Sequence, residues 1–207
     1  MAKHNTIDTE TVRADGPALV AKGPDHGPLV VVLDPSGEAK HDELPATWRP
    51  LTEDIGVAWW RLPSARRAGR TGDRLLEGLP EHNRVHLVGV HNAALLALSL
   101  AIHHRDRVRS VVLVDPPWPE HDLSTVGRIV NDPDLIVRQI RTDQAGDSLP
   151  VGHPDVLAAV VRELVSAEAE APVETMSSPG LGPLTQEAWR ALHATLIRVT
   201  GALGISL

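Results

Sequence analysis

Apolar runs alternate with helix-like segments along the first half of the chain. The run Pro28–Leu33 has no polar face, which is typical of a strand buried on both sides of a parallel sheet. Three further strands are predicted at Ile55–Leu62, Val85–Val90 and Val108–Val114. Between them, Thr71–Leu79 carries an apolar stripe and Asn92–His104 is apolar almost all round, so both segments predict helices. The alternation predicts a three-layer α/β domain with a mostly parallel sheet.

The two ends of the chain carry weaker patterns. Glu10–Arg13 and Ala18–Lys22, separated by the turn residues Asp15-Gly16-Pro17, predict a hairpin before the first apolar run. Beyond Pro119, helices are predicted at Ser124–Val130, Asp134–Ala145, Asp155–Glu168 and Gln186–Thr200. The remaining candidate strands are Pro172–Ser178 and Leu203–Leu207. We therefore expect a single domain over residues 1–207 with about six to eight strands.

Composition and charge exclude several classes of function. The formal net charge of −7 provides no basic field for nucleic acid. The chain has no cysteine, which excludes disulfides, thiolate catalysis and cysteine-based metal sites. The polar segment Met1–Thr11 lacks the apolar core of a signal peptide, and the longest apolar stretch, Ala93–Ile102, is too short to cross a bilayer. We therefore expect a cytoplasmic protein without nucleic-acid or membrane partners.

The aromatic residues are all tryptophans, since phenylalanine and tyrosine are absent. The core must therefore consist mainly of valine, leucine, isoleucine and alanine, and no tyrosine can act as an acid or base. Trp59 and Trp60 are neighbours on a predicted strand, so they should face opposite sides of the sheet.

The most specific pattern lies between Arg84 and Pro117. A strand leads into Gly89-Val90-His91-Asn92-Ala93, a helix rich in small residues follows, and the next strand ends in Asp115-Pro116. This arrangement resembles the α/β-hydrolase superfamily, in which the central strand feeds a Gly-x-Ser-x-Gly elbow. Gly89 and Ala93 are small enough for the tight turn and for close packing of helix on strand. The resemblance covers about residues 28–120.

The resemblance also implies features outside the elbow. The region of about 120–170 occupies the position of the family's helical cap, and the C-terminal part is shortened. Trp118, directly after the Asp115 loop, is expected to line an apolar substrate pocket. The apolar run 156–161 is interpreted as cap core or as the face of a homodimer.

The departure from the family lies at the centre of the elbow, where His91 takes the position of the nucleophilic serine. No carboxylate directly follows Pro172–Ser178, and no histidine follows Leu203–Leu207, so the family's acid and histidine have no secure counterparts. Without these groups the Ser-His-Asp mechanism of acyl transfer cannot be assembled. We expect the protein not to be an efficient esterase or lipase.

Three polar side chains are predicted to meet where that chemistry would occur. In the family's sheet the strands before Asp34, His91 and Asp115 are neighbours, and ligands of parallel sheets bind outside the carboxyl ends. A carboxylate bonded to one imidazole nitrogen leaves the other nitrogen free to move a proton. The N–H groups of Asn92 and Ser36 are candidate donors to an oxyanion or enolate, because Pro35 has no N–H to donate.

Other interpretations of the same residues remain open. Asp34 and Asp115 are also common turn formers, and His91 also suits a purely structural elbow. The three side chains could hold Mg²⁺ or Fe²⁺. Gly89-x-His91-x-x-Ala94 lacks a glycine of the dinucleotide fingerprint, and we predict no cofactor and no metal.

Two functions follow from these residues. The first is an acid–base enzyme acting on an apolar small molecule, of the isomerase, cyclase or lyase type, with His91 as acid and base. The alternative is a catalytically inactive relative that serves as a binding or assembly subunit.

Overall fold

The structure, a computed structural model, describes residues 18–25, 27–39, 42–62, 68–78, 85–118, 135–142 and 148–170. Its strands are β1 (Leu19–Lys22), β2 (Leu29–Asp34), β3 (Gly56–Arg61), β4 (Val85–Val90), β5 (Val108–Val114) and β6 (Ile136–Ile140). Its α-helices are α1 (Ala68–Glu77), α2 (Ala94–His103) and α3 (Pro154–Glu170), with short 3₁₀ turns at Arg49–Glu53 and His91–Ala93.

The strands form one six-stranded sheet in the order β1-β3-β2-β4-β5-β6. β1 is antiparallel to β3, and the other neighbours are parallel. Leu33 of β2 pairs with Gly89 of β4, and Val90 of β4 pairs with Val114 of β5. The carboxyl ends of β2, β4 and β5 therefore lie side by side at one edge of the sheet.

Helices cover both faces of the sheet, which confirms the predicted three-layer α/β class. Trp59 packs in the core on the α3 side, whereas Trp60 packs in the core beneath α1 and α2. This confirms that the two neighbouring tryptophans face opposite layers. Trp59 also meets Trp48 edge to face, with ring centroids 5.1 Å apart and an interplanar angle of 86°.

Gly89 sits where the central strand touches the helix that follows it. A Cβ at this position would lie 2.7 Å from Cβ of Ala97 and 2.9 Å from Cα of Ala94. Real carbon atoms do not approach so closely, so α2 packs on β4 at this distance only because residue 89 has no side chain. The requirement for a small residue at Gly89 is thereby confirmed.

One predicted helix is wrong. The segment Asp134–Ala145 contains the strand β6, which pairs in parallel with β5 from Ile136 to Ile140. β6 is the outermost strand on its side of the described part of the sheet and is mostly half-buried, so its sequence can include Arg138 and Gln139 and lacks the unbroken apolar run of the inner strands.

Part of the region predicted as a helical cap lies within the described residues. Within about 120–170, the described residues 135–142 and 148–170 supply the edge strand β6 and the helix α3, which packs on β5 and β6. They are therefore part of the sheet and its covering layer. The predicted helix Ser124–Val130 lies outside the described residues.

The predicted strands of the apolar runs are confirmed, with Val85–Val90 and Val108–Val114 at the predicted bounds. The helix predicted at Asp155–Glu168 is observed as α3, with Pro154 in its first turn. None of the helices in the described part of the chain is long and apolar enough to cross a membrane. The predicted elements that lie outside the described residues are Glu10–Arg13, Pro172–Ser178, Gln186–Thr200 and Leu203–Leu207.

Candidate functional site

The elbow after β4 holds His91 in an unusual backbone conformation. Its φ angle is 47°, in the left-handed region that residues with a side chain rarely adopt. Asp115, directly after β5, has a φ angle of 43°. Such conformations cost about 1–3 kcal/mol each and tend to cluster at functional sites. Both strained residues stand at the carboxyl edge of the sheet, where the sequence places the site.

Asp115 links the end of β5 to the loop that follows β6. Its Oδ1 accepts the N–H of Thr142 at 2.7 Å, and its Oδ2 accepts the hydroxyl of Ser148 at 2.7 Å together with the hydroxyl of Thr142. Burial acts to raise the pKa of Asp115, but the bonds from Thr142 and Ser148 and the nearby His91 outweigh burial and hold the pKa below its usual 3.8. The carboxyl group is therefore ionised at neutral pH.

His91 contacts Asp115 through the main chain and through a serine. Its Nδ1 lies 3.4 Å from the carbonyl oxygen of Asp115, and Oγ of Ser148 lies 3.3 Å from Nδ1 and 3.4 Å from Nε2. Asp115 and His91 are thus brought together as predicted, but Ser148 stands between the carboxylate and the ring. The imidazole is half-buried and therefore open to a small molecule.

Asp34 has a different environment from the one predicted. It is completely buried, and Oδ1 accepts the N–H groups of Ser36 at 2.8 Å and Gly37 at 2.9 Å. Oδ2 accepts the N–H of Glu38 at 2.5 Å and Nε1–H of Trp59 at 2.8 Å. Four donors fill the acceptor sites of one carboxylate. Asp34 organises its own turn and has no lone pair left to orient His91.

The two backbone N–H groups predicted as ligand donors have different environments. The N–H of Ser36 donates to Oδ1 of Asp34 and so stabilises the turn. It is therefore not available to a ligand, whereas the sequence predicted that it would be. Asn92 lies in the exposed first turn after His91, and its role as an oxyanion donor stays a prediction.

Trp118 is half-buried and packs against the core beneath α1 and α2. Arg141 holds the segment before it, because its guanidinium donates to the carbonyl oxygens of Pro116 and Trp118. Among the described residues, the indole Nε1–H of Trp118 has no hydrogen-bond partner. Its role in lining a substrate pocket stays a prediction.

A second carboxylate near the site was missed from the sequence. Glu38 accepts the N–H of Val151 at 2.9 Å and that of Gly152 at 2.7 Å, so it ties the β2 loop to the turn before α3. Burial, and the nearby charge of Asp34, raise the pKa of Glu38 above its usual 4.5, against the lowering effect of those bonds and of His91. A cavity of about 550 Å³ lies beside this carboxylate.

The structure gives no support to the metal interpretation of the edge. In the described part of the chain, no three histidine, aspartate or glutamate side chains are gathered as a metal ion requires. Asp34 in particular is saturated by the four donors of its own turn and strand neighbour.

Ser148 and Thr142 were also missed, because the segment that leads to them was predicted as a helix and neither residue belongs to a motif. The family's acid is expected after Pro172–Ser178, whereas β6 is a further strand that carboxylates also follow. The sequence that follows β6 contains Asp143 and Asp147, both outside the described residues. Carboxylates are therefore present in the sequence after a strand of the sheet, and the elbow residue is a histidine.

Comparisons with known proteins find distant likenesses among solved structures. No protein-family model matches the chain, and no curated protein matches it at a significant level. Among solved structures, the chain is similar to an α/β-hydrolase from the metagenome of lagoon sediments at Mar Chica, Morocco, with 12% identity and a TM-score of 0.44, over 73% of this chain and 95% of the other.

Two further likenesses are as distant. A hydrolase from Oleispira antarctica shows 11% identity and a TM-score of 0.37, over 93% of this chain and 70% of the other. A lipase-esterase related protein from Clostridium acetobutylicum shows 13% identity and a TM-score of 0.35, over 53% of each chain. The fold is accordingly defined by its own topology: the strand order, the parallel pairing and the strand–elbow–helix unit make it an α/β-hydrolase-like fold.

Proposed function

We propose that this chain is an acid–base enzyme in which His91 moves a proton on an apolar small molecule. The observation that carries the proposal is the position of the Ser148 hydroxyl, within hydrogen-bond distance of both the Asp115 carboxylate and the His91 ring. Isomerisation, cyclisation and elimination fit such a group, since each needs a proton moved and none needs a covalent serine adduct.

The contacts of His91 favour one tautomer. The carbonyl oxygen of Asp115 can only accept a hydrogen bond, so the Nδ1 that faces it carries the proton. Nε2 then keeps its lone pair and acts as the base. Asp115 lies close enough to interact with this ring, because His91 is among the groups that lower the pKa of Asp115.

Ser148 is poorly placed to act as the nucleophile. Its hydroxyl donates to Oδ2 of Asp115 at 2.7 Å, and a carboxylate whose pKa is below 3.8 is too weak a base to activate a serine. This supports an assignment of proton transfer over acyl transfer at this edge of the sheet.

The proposal is tested with nitrobenzisoxazole, an apolar probe whose elimination begins with removal of one C–H proton by a base. The proton passes to His91 as the N–O bond breaks and a phenolate forms. We expect His91→Ala to lower the rate by about a hundredfold or more while the thermal midpoint stays close to that of the wild type. His103→Ala, which changes an exposed histidine at the end of α2, is the matched control.

An unchanged rate in His91→Ala, or an equal loss in His103→Ala, would refute the assignment to His91. The alternative function, a catalytically inactive binding or assembly subunit, is supported by Asp34, because one of the three predicted acid–base groups holds a turn. In that case binding of a ligand is unchanged by His91→Ala.

A further inference from the structure

The cavity beside Glu38 lies between the loop that follows β2 and the turn that leads into α3. We propose that this cavity binds an apolar small molecule through a protonated amine, which contacts the carboxylate of Glu38. The inference rests on the proposed function and deepens it, since it assigns apolar amines as the substrate class.

The walls of the cavity are largely apolar, formed by three prolines and by the backbone of a glycine. Pro45, Pro150 and Pro154 line it, and its volume of about 550 Å³ lies within the range of small-molecule sites. Gly152 contributes a bare backbone, and a Cβ there would lie 2.8 Å from Oε2 of Glu38 and 3.2 Å from Cβ of Pro45. Glycine at this position therefore lets the carboxylate lie against the wall of the cavity.

Glu38 is fixed in place with acceptor capacity left over. Among the described residues, Oε1 accepts one N–H, from Val151, and Oε2 accepts one N–H, from Gly152. Each carboxylate oxygen has two lone pairs, so each can accept one more donor from a ligand. Because two N–H groups of the turn before α3 hold the carboxylate, a ligand meets a group that is already oriented.

The charge around Glu38 favours a cation over a neutral donor. The carboxylate of Asp34 is close enough to act on Glu38, and together with burial it raises the pKa of Glu38, which means that the negative charge is poorly compensated. Arg61 lies beside Gly37 but does not line the cavity. The other titratable group of the lining is His153, whose Nδ1 lies 3.7 Å from the carboxylate of Asp155.

The cavity and the catalytic histidine belong to one edge of the sheet. Glu38 follows β2 and His91 follows β4, and the charge of His91 lowers the pKa of Glu38. An amine held by Glu38 therefore binds at the same side of the sheet as His91, which does not itself line the cavity.

The experiment compares three molecules that differ only in their polar end: phenylbutylamine, phenylbutanol and phenylbutyrate. Binding to the purified chain is measured by calorimetry at pH 7.5, where the amine is protonated. We expect the amine to bind at least about tenfold more tightly than the alcohol, because its hydrogen bond to Glu38 joins two charged groups. Equal affinity for the amine and the alcohol, tighter binding of phenylbutyrate, or no binding of the amine at millimolar concentration would overturn the proposal.

Two variants locate the amine. Glu38→Gln should abolish the preference for the amine over the alcohol, whereas Glu77→Gln, an exposed carboxylate at the end of α1, should retain it. Because Glu38 also holds the turn before α3, His153→Trp provides a second test that fills the cavity and leaves those hydrogen bonds intact. His153→Trp should weaken binding of the amine at least about tenfold, and unchanged binding would refute the location.

His91→Ala separates this inference from the proposed function. The preference for the amine over the alcohol should persist in this variant, because Glu38 and the proline walls are intact. If the amine fails to bind while His91→Ala abolishes proton transfer, the substrate class is wrong and the acid–base function stands. If the amine binds and His91→Ala retains the wild-type rate, the cavity stands and the acid–base function is wrong.

Discussion

The two ends of the strand β4 carry the same three chemical groups in different surroundings. Near the amino end, Nδ1 of His86 lies 2.8 Å from Oγ of Ser110, and its Nε2 lies 3.3 Å from Oε1 of Glu168. At the carboxyl end, His91 meets Ser148, and Ser148 meets Asp115. Each end thus combines an imidazole, a serine hydroxyl and a carboxylate.

Burial distinguishes the two clusters. His86 is 1% exposed beneath α3, and burial, with the nearby Arg109, lowers its pKa to about 3. His91 is half-buried at the open edge of the sheet. His86 stays neutral at neutral pH and is inaccessible to solutes, so its role is structural. Its contact with a serine is nevertheless shorter than that of His91. Hydrogen-bond geometry alone therefore does not identify the reactive end of this strand.

The largest expected difference between the two clusters is in stability. His86→Ala should lower the free energy of unfolding by about 3 kcal/mol, because it opens a cavity under α3 and removes the buried partner of Ser110. His91→Ala should change it by less than about 1 kcal/mol, because the ring is half-exposed. Chemical denaturation followed by tryptophan fluorescence measures both values, and equal losses would contradict the comparison.

The second difference is in the dependence of stability on pH. The unfolded chain protonates His86 below pH 6.5, whereas the folded chain does so only near about pH 3. The contribution of His86 to stability is therefore complete above pH 6.5, and it is lost at up to about 1.4 kcal/mol per pH unit as the pH falls toward 3. Urea unfolding between pH 7 and pH 5 measures the slope, and His86→Gln should reduce it. An unchanged slope in His86→Gln would assign the effect to other groups.

A smaller effect is expected from the serine of the open cluster. Ser148→Ala removes the bridge between Asp115 and His91, so the elimination rate at pH 7 should fall by about tenfold or less, since His91 retains its contact with the carbonyl oxygen of Asp115. A loss as large as that of His91→Ala would instead make Ser148 the essential group.

The smallest expected effect is the reaction of either serine with acylating reagents. Ser110 is completely buried, and Ser148 donates to a weakly basic carboxylate, so a fluorophosphonate should label neither. Turnover of p-nitrophenyl acetate should show no burst. Mass spectrometry of the treated protein is the measurement, and stoichiometric labelling of Ser148 would convert the proposed proton-transfer site into an acyl-transfer site.

The sequence by itself determined the inner strands of the sheet and the elbow that follows β4. The inner strands β2, β4 and β5 are buried on both faces, so their apolar runs are visible without any knowledge of their neighbours. The elbow is local as well, because Gly89, His91 and the small residues of α2 follow one another along the chain. The sequence also placed His91 and Asp115 at one edge, through the order of the strands that the family resemblance implied.

Only the tertiary structure shows that β6 is a strand and which residues contact the site residues. β6 is mostly half-buried, so its sequence has neither the continuous apolar run of an inner strand nor a local signal of pairing. The contacts that define the site are separated by 33 residues between Ser148 and Asp115, by 57 between Ser148 and His91 and by 114 between Glu38 and Gly152. Asp34 ends β2 and Asp115 follows β5, the strands on either side of β4, yet Asp34 is bonded mainly within its own turn and Asp115 is bonded by a distant loop. Such differences depend on which donors the fold brings within 3 Å, and no periodicity along the chain encodes them.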